Sequence, residues 1–552
     1  MHRKILVPVL LLLLLALTAC TAMPTTTTPS TGDTAGSDAA PVEKVFRMAS
    51  FEPDSLDPAI GGPGYQEYQN LYEPLVDSYA ADGEIRPLAA ESWTVSDDGL
   101  IYTFTLRPDL KWSDGEPVTS ANFYFAWMRQ LDPATASYSP DDFFMIRNAR
   151  AFNAGEITDP AEVGIRVIDD LTIEVTLEAP APFFLSLVGS NSYFPLRQDI
   201  LETHGDQWME AGNFVGNGPY MLESWEHDQR LVFVKNPHYN GPWKDSRHID
   251  RIEYTVLQDP WSQAVLPYEA GEIDVAIVPP TDRDRVAGDP ELADQLQPLP
   301  ISGAVIVVFD TKNTPTDDVR VRQALAMSLD YDVLANSVLK GAYAPADSFS
   351  PPSLASHNAE SRLGTDVAAA QALLAEAGYP GGEGFPEFQL YYWTLERESL
   401  LAQAMQAMWQ ENLGITVALQ PLEVQAMRDY RVSRATESFN AYVALNWSGI
   451  PDPREFHNAQ LDPDGNVRHS RYDNPEYVEL IRTGLTEVDP VKRAEMYQQA
   501  EALVNQEVPI LSVIYEARNW LVRPNVKNFA DVTTPVAEMV RVAAPPGLDI
   551  EP

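Results

Sequence analysis

The run Ala89-Ala90-Glu91-Ser92-Trp93, continuing through Ser96-Asp97-Asp98-Gly99 and Ile101 to Leu106 and ending in Lys111-Trp112-Ser113-Asp114-Gly115-Glu116-Pro117, decides how this chain is read. Within it, Ile101 to Leu106 alternates apolar and polar residues, the period of two that predicts a strand buried on one face. Asp97-Asp98 and Trp112 to Pro117 predict turns, because Asp, Ser, Gly and Pro favour the backbone geometries that turns require.

The same alternation returns in Leu171-Thr172-Ile173-Glu174-Val175-Thr176-Leu177, which places Leu171, Ile173, Val175 and Leu177 on one face. Ala304-Val305-Ile306-Val307-Val308-Phe309 is apolar on both faces and predicts a central strand. Helices announce their starts. Asp489-Pro490 supplies a cap and a first-turn proline, after which Val491, Ala494, Tyr497, Ala500 and Val504 trace an apolar stripe to about Asn505. Asp317 or Asp318 precedes Val321, Ala324, Leu325, Ser328 and Leu329 at helical spacing. Gly216-Asn217-Gly218-Pro219 and Gly378-Tyr379-Pro380-Gly381-Gly382 mark loops. Strands alternating with helices predict an α/β protein with mixed sheets flanked by helices.

With 552 residues the chain exceeds what one core fills, so at least two lobes are expected. Its composition, 45% hydrophobic and 10% aromatic, is that of a folded globular protein. Asp and Glu total 80 against 38 Lys and Arg, and a net charge of -42 repels phosphate backbones, which argues against a nucleic-acid partner.

The N-terminus carries Arg3 and Lys4, then an apolar run from Ile5 to Leu17, shorter than the roughly 20 residues a spanning helix needs. It ends in Leu17-Thr18-Ala19-Cys20, which resembles the lipobox of bacterial lipoproteins, and Cys20 is the only cysteine in the sequence. The expectation is a signal peptide over 1–19, a diacylated Cys20 as mature first residue, and a Thr/Pro/Ser/Gly-rich tether over 20–44 too polar to fold. With one cysteine there is no internal disulfide.

A secreted hydrolase is the competing class. The sequence contains neither a Gly-x-Ser-x-Gly nucleophile elbow nor His-Glu-x-x-His zinc spacing, and its 8 histidines are scattered. No metal, cofactor or catalytic residue is assigned.

Further segments join the opening run in chain order: Ser55-Leu56-Asp57-Pro58, Tyr72-Glu73-Pro74-Leu75-Val76, Ile168-Asp169-Asp170, Asn217-Gly218-Pro219-Tyr220, Lys235-Asn236-Pro237 and Tyr268-Glu269-Ala270-Gly271-Glu272-Ile273-Asp274. Asp318-Val319-Arg320-Val321-Arg322-Gln323-Ala324-Leu325, Leu373 to Pro380 and Tyr472-Asp473-Asn474-Pro475-Glu476-Tyr477 continue the series. Together they resemble the family-5 extracellular solute-binding proteins that serve oligopeptide and dipeptide ABC importers. The resemblance implies a two-lobed, periplasmic-binding-protein-like fold (cluster C) with an inserted subdomain. Lobe one falls at about 45–73, 196–300 and 520–552, the insertion at 74–195 and lobe two at 301–519. It also implies a monomer that closes over a peptide or peptide-like ligand and hands it to a permease and ATPase. A non-peptide solute such as a sugar, metal chelate or opine is the alternative within the same fold.

Site residues follow from the same resemblance. In Asn446-Trp447-Ser448-Gly449-Ile450-Pro451-Asp452-Pro453, Gly449 falls where the family carries the aspartate that holds the ligand's α-amino group. Asp452, three residues on, either takes over that role or caps the next turn. Arg431 aligns with a position that helps hold the carboxylate of short ligands, or belongs to a surface patch with Arg428 and Arg434. Ile60-Gly61-Gly62-Pro63-Gly64-Tyr65, with Gly62 and Tyr65, matches a region that offers backbone groups to the ligand, or is a tight surface turn. Trp393 and Trp447 line side-chain pockets or belong to the core.

Overall fold

Strand β1 (Val45–Ser50) opens the folded part of the chain in the computed structural model, which describes residues 42–61, 67–79, 84–423, 426, 427, 430, 439–450, 452–461, 470–530 and 545–551. Cys20, Gly62, Tyr65 and Arg431 lie outside the described residues.

An antiparallel sheet comes next, built from β2 (Ala90–Val95), β3 (Ile101–Leu106), β4 (Ile165–Asp169) and β5 (Thr172–Thr176) in the order β2-β3-β5-β4. The predicted alternation sets its buried face: Tyr102, Phe104, Leu106, Ile173 and Val175 are buried while Ile101 is exposed. Helix α1 (Ser120–Leu131) starts at a reciprocal cap in which the Thr119 amide donates to Asn122 Oδ1 at 2.8 Å. Its Phe123 and Trp127 are fully buried.

The principal sheet takes β1 together with β6 (Tyr220–Glu226), β7 (Arg230–Lys235), β8 (Arg251–Val256), β9 (Val275–Ile277), β10 (Leu296–Phe309), β11 (Phe388–Trp393), β12 (Val417–Leu422), β13 (Ala441–Trp447) and β14 (Ile510–Val522). Their order is β12-β11-β13-β10-β14-β9-β1-β8-β7-β6, with parallel and antiparallel neighbours mixed. Helices α2 (Val319–Met327), α3 (Val367–Glu376), α4 (Glu396–Leu413), α5 (Pro453–Leu461), α6 (Pro475–Thr486) and α7 (Pro490–Glu507) belong to its second half.

β10 and β14 carry the chain from one core to another. Residues Leu296–Pro300 pair with Ala517–Leu521, whereas Ala304–Val308 pair with Ile510–Tyr515, and the register slips between Pro300 and Ala304. Trp520 and Val522 pack with the core that includes Phe46, Tyr254 and the inserted sheet. Ala304 to Phe309 and Val513 to Tyr515 pack with Leu325, Trp409 and Tyr497 in the other. Each of the six residues Ala304 to Phe309 is 0% exposed, as a strand flanked on both sides requires.

Helix α7 keeps its expected stripe at Tyr497, Ala500 and Val504 and departs from it at the start. Asp489 caps it by accepting from the amides of Val491 and Lys492, but Val491 is 66% exposed. Arg493 and Glu501 are buried instead, because each finds polar partners inside: Asp452 for one, Ser348 and Ser350 for the other. For α2 the cap is Asp318, whose carboxylate accepts from the Arg320 amide at 2.9 Å.

Candidate functional site

Where the register between β10 and β14 slips, a cavity opens between the two cores. One wall comes from Asp259, Trp261 and Ser262 and the end of β9 with Pro279 and Pro280. The other comes from Tyr343, the first residues of α4, and Leu445 and Trp447 of β13. Glu516 to Asn519 of β14 form the floor.

Gly303 explains how the strands approach so closely. A Cβ there would lie 3.2 Å from the Asn446 carbonyl oxygen, 3.2 Å from Trp447 Cβ and 3.3 Å from Glu516 Cγ, tighter than a side chain normally tolerates. Glycine therefore lets Trp447 and Glu516 sit on either side of one backbone position.

Arg397, in the first turn of α4, is held by two carboxylates. Its Nε and Nη2 donate to Glu398 Oε1 at 3.1 and 2.6 Å, and Nη1 donates to Glu516 Oε1 at 2.6 Å. The guanidinium lies over the Tyr343 ring, 5.3 Å from its centroid. Burial works against its charge, yet Glu398 and Glu516 hold it above its ordinary value. Across the cavity, Thr281 donates its amide and hydroxyl to Glu396 at 3.2 and 3.3 Å, and Arg283 donates to Asn519 Oδ1 at 2.6 Å.

Trp447 lines this cavity, half-buried. Ser448 is fully buried, its amide donating to the Ser302 carbonyl at 2.9 Å and its hydroxyl to the Ile450 carbonyl. A Cβ on Gly449 would meet nothing within 4 Å, while Ile450 packs into the first core. Both Asp452 oxygens accept from Arg493, at 2.7 and 2.7 Å, and Oδ1 also accepts from the Arg454 amide at 2.9 Å. The turn-capping geometry is thus present at Asp452, together with an ion pair. Trp393 is 9% exposed within the second core and does not line the cavity. Its indole Nε1 is sealed from solvent with no partner among the described residues.

Beyond Asp452 the chain meets Phe183, a few residues after β5. The Arg454 and Arg493 guanidiniums lie 4.5 and 5.9 Å from the Phe183 ring centroid. Nearby, Asp142 accepts from Ser192 Oγ at 2.5 Å, and burial, then the charges of Asp141 and Glu455, push its carboxyl up to about 7. The folded protein then keeps a proton that the unfolded chain has already released, so this group's contribution to stability falls as pH rises from about 4 to about 7. Asp142→Asn is expected to leave the melting temperature near its original value at pH 4. At pH 8 it should add on the order of 2 kcal/mol, a figure reduced for the partial exposure of the group. An equal effect at both pH values would refute this.

Sequence reasoning did not single out Arg397, Glu398, Glu516 or Trp261. The available signal was Glu396-Arg397-Glu398 beside the apolar strand ending at Trp393, a charge cluster that in sequence looks like any solvated helix start.

Two cores joined by the paired strands β10 and β14, with a polar-rimmed cavity where their register slips and an extra sheet inserted in the first half, define a two-lobed solute-binding protein. The chain belongs to the bacterial extracellular solute-binding proteins, family 5, whose model matches residues 84–467. It is 32% identical over 504 residues to the probable deoxycholate-binding periplasmic protein YgiS of Escherichia coli, covering 88% of this chain and 91% of that one. It is likewise 32% identical over 511 residues to the periplasmic murein peptide-binding protein MppA of the same organism, covering 90% and 92%. The crystal structure of Haemophilus influenzae OppA in complex with RPPGFSPFR superposes with a TM-score of 0.77 at 29% identity, over 92% of this chain and 99% of that one.

Proposed function

We propose that this protein captures oligopeptides or peptide-like solutes in the cavity between its lobes and delivers them, chemically unchanged, to an ABC permease, with Cys20 as its lipid anchor. The observation that carries the reading is the position of the cavity where the paired strands β10 and β14 pass from one core to the other, so that closing the lobes engulfs a ligand. Peptide-binding relatives at 32% and 29% identity support it. An engulfed peptide presents main-chain donors and acceptors that protein backbone satisfies, which gives affinity with little sequence selectivity. The lobe boundaries at 45–73, 196–300 and 520–552 against 301–519, with 74–195 inserted, are part of this proposal, as are ligand contacts from Gly62, Tyr65 and Arg431.

Thermal melts with peptide pools, deoxycholate, sugars and haem test it. Peptides should stabilise the folded chain by about 2.7 kcal/mol at a hundredfold excess over Kd. Trp447→Ala should weaken peptide binding by about 2 kcal/mol, the loss of an aromatic anchor in a pocket, as read by calorimetry. Stabilisation by deoxycholate or haem alone would replace the peptide reading, and turnover of any of these compounds would defeat the non-catalytic one.

A further inference from the structure

The cavity's carboxylates outnumber its cations. Asp259, Glu396, Glu398 and Glu516 line it against Arg397 and Arg518. Most of their oxygens are committed. Asp259 caps its own turn by accepting from the Trp261 amide and Ser262 hydroxyl, Glu396 accepts from Thr281 with both oxygens, and Glu398 holds Arg397 through Oε1.

Glu516 differs. It is only 7% exposed, and its Oε1 accepts from Arg397, but its Oε2 receives no hydrogen bond from the described residues. That oxygen is not among the unpartnered atoms sealed from solvent, and Glu516 lines the cavity. Glu398, Arg397 and Glu516 together carry one net negative charge in a site that lobe closure would dry, where an unanswered charge is expensive.

Trp447, on the other side of Gly303 from Glu516, has no aromatic or cationic neighbour among the described residues. Trp261 is already ordered, with Phe51 at its edge and the Arg518 guanidinium 4.9 Å from its centroid. An indole that packs on the second core and lines the cavity, beside a carboxylate oxygen with no donor among the described residues, is complementary to an ammonium or guanidinium.

We propose that Glu516 and Trp447 form a subsite for a cationic group of the ligand, either a lysine or arginine side chain or the peptide's own α-ammonium. This rests on the peptide reading above and names what that cavity selects.

The test is a lysine scan through pentaalanine, titrated calorimetrically into the full chain, with norleucine as the uncharged counterpart at each position and Nα-acetylated copies of every peptide. At one position lysine should bind at least tenfold tighter than norleucine, and Glu516→Gln should reduce that ratio to within twofold. If the α-ammonium is the cation, acetylation should instead cost at least tenfold, and Glu516→Gln should remove that difference. Equal binding of lysine, norleucine and acetylated peptides overturns the proposal, as does a preference that survives Glu516→Gln. The lysine and norleucine comparison uses the unaltered chain, so it stands even if the variant does not fold. Should no pentapeptide bind, the peptide reading fails separately. The subsite is then decided by agmatine and 1,5-diaminopentane against 1-pentanol: a melting shift for the two cations alone supports it, and no shift overturns it.

Discussion

Arg493→Ala is expected to cost about 3–5 kcal/mol of folding stability, measured by urea titration, because it strands a buried carboxylate. Asp452 is 8% exposed and receives both arms of the Arg493 guanidinium at 2.7 Å, the fork geometry that makes such pairs strong. Among the described residues no other side chain donates to the Asp452 carboxylate. Arg454, the next cation, gives Asp452 its amide but sends its guanidinium to Glu455 at 2.9 Å. Asp452→Ala should cost a similar amount, and the double variant clearly less than the sum, since each single change removes the same interaction. If Asp452 instead serves a ligand's ammonium, Arg493→Ala will cost under about 1 kcal/mol while Asp452→Asn weakens peptide binding by about 2–5 kcal/mol. The pair also bridges parts of the fold. Arg493 projects from α7, Asp452 follows β13, and Phe183 of the inserted region lies under both Arg454 and Arg493. Unfolding of this corner should therefore be cooperative with the rest.

Periodicity made the scaffold legible. The alternation at Ile101 to Leu106 and Leu171 to Leu177, and the unbroken apolar run at Ala304 to Phe309, each fell on a strand with the expected buried face. These signals survive because burying an alternating face is the dominant local term. The pairing of β10 with β14 was not visible, because contact between residues some 210 positions apart leaves no mark in either segment. The ionic interior was hidden for a different reason. Arg493, Glu501, Glu398 and Glu516 belong to residue types that are nearly always exposed, and only a partner supplied by the tertiary fold makes their burial tolerable. Val491 shows the converse error, an apolar residue at a helical stripe position that the first turn leaves in solvent. For the site, Trp447 was found because it sits in a recognisable segment, whereas Glu516 lies inside an apolar strand at the lobe junction and carries no motif.

Arg397→Met is the second large effect, again about 3–5 kcal/mol, because it leaves two carboxylates facing each other at 1% and 7% exposure. The size of that loss measures the stranded charges and not the worth of the triad. Desolvating three ions at the lobe junction consumes most of what their mutual attraction returns. Replacing all three with apolar residues of similar volume, Arg397→Met with Glu398→Leu and Glu516→Leu, should therefore recover stability to within about 1 kcal/mol of the parent. A triple variant as unstable as Arg397→Met would show that the triad itself holds the lobes. Recovery would mean that these charges are retained at a cost to folding, which is the expected pattern for groups placed to answer a ligand. The triple variant then separates the two roles: it should fold like the parent, close on uncharged peptides, and bind lysine and norleucine peptides alike.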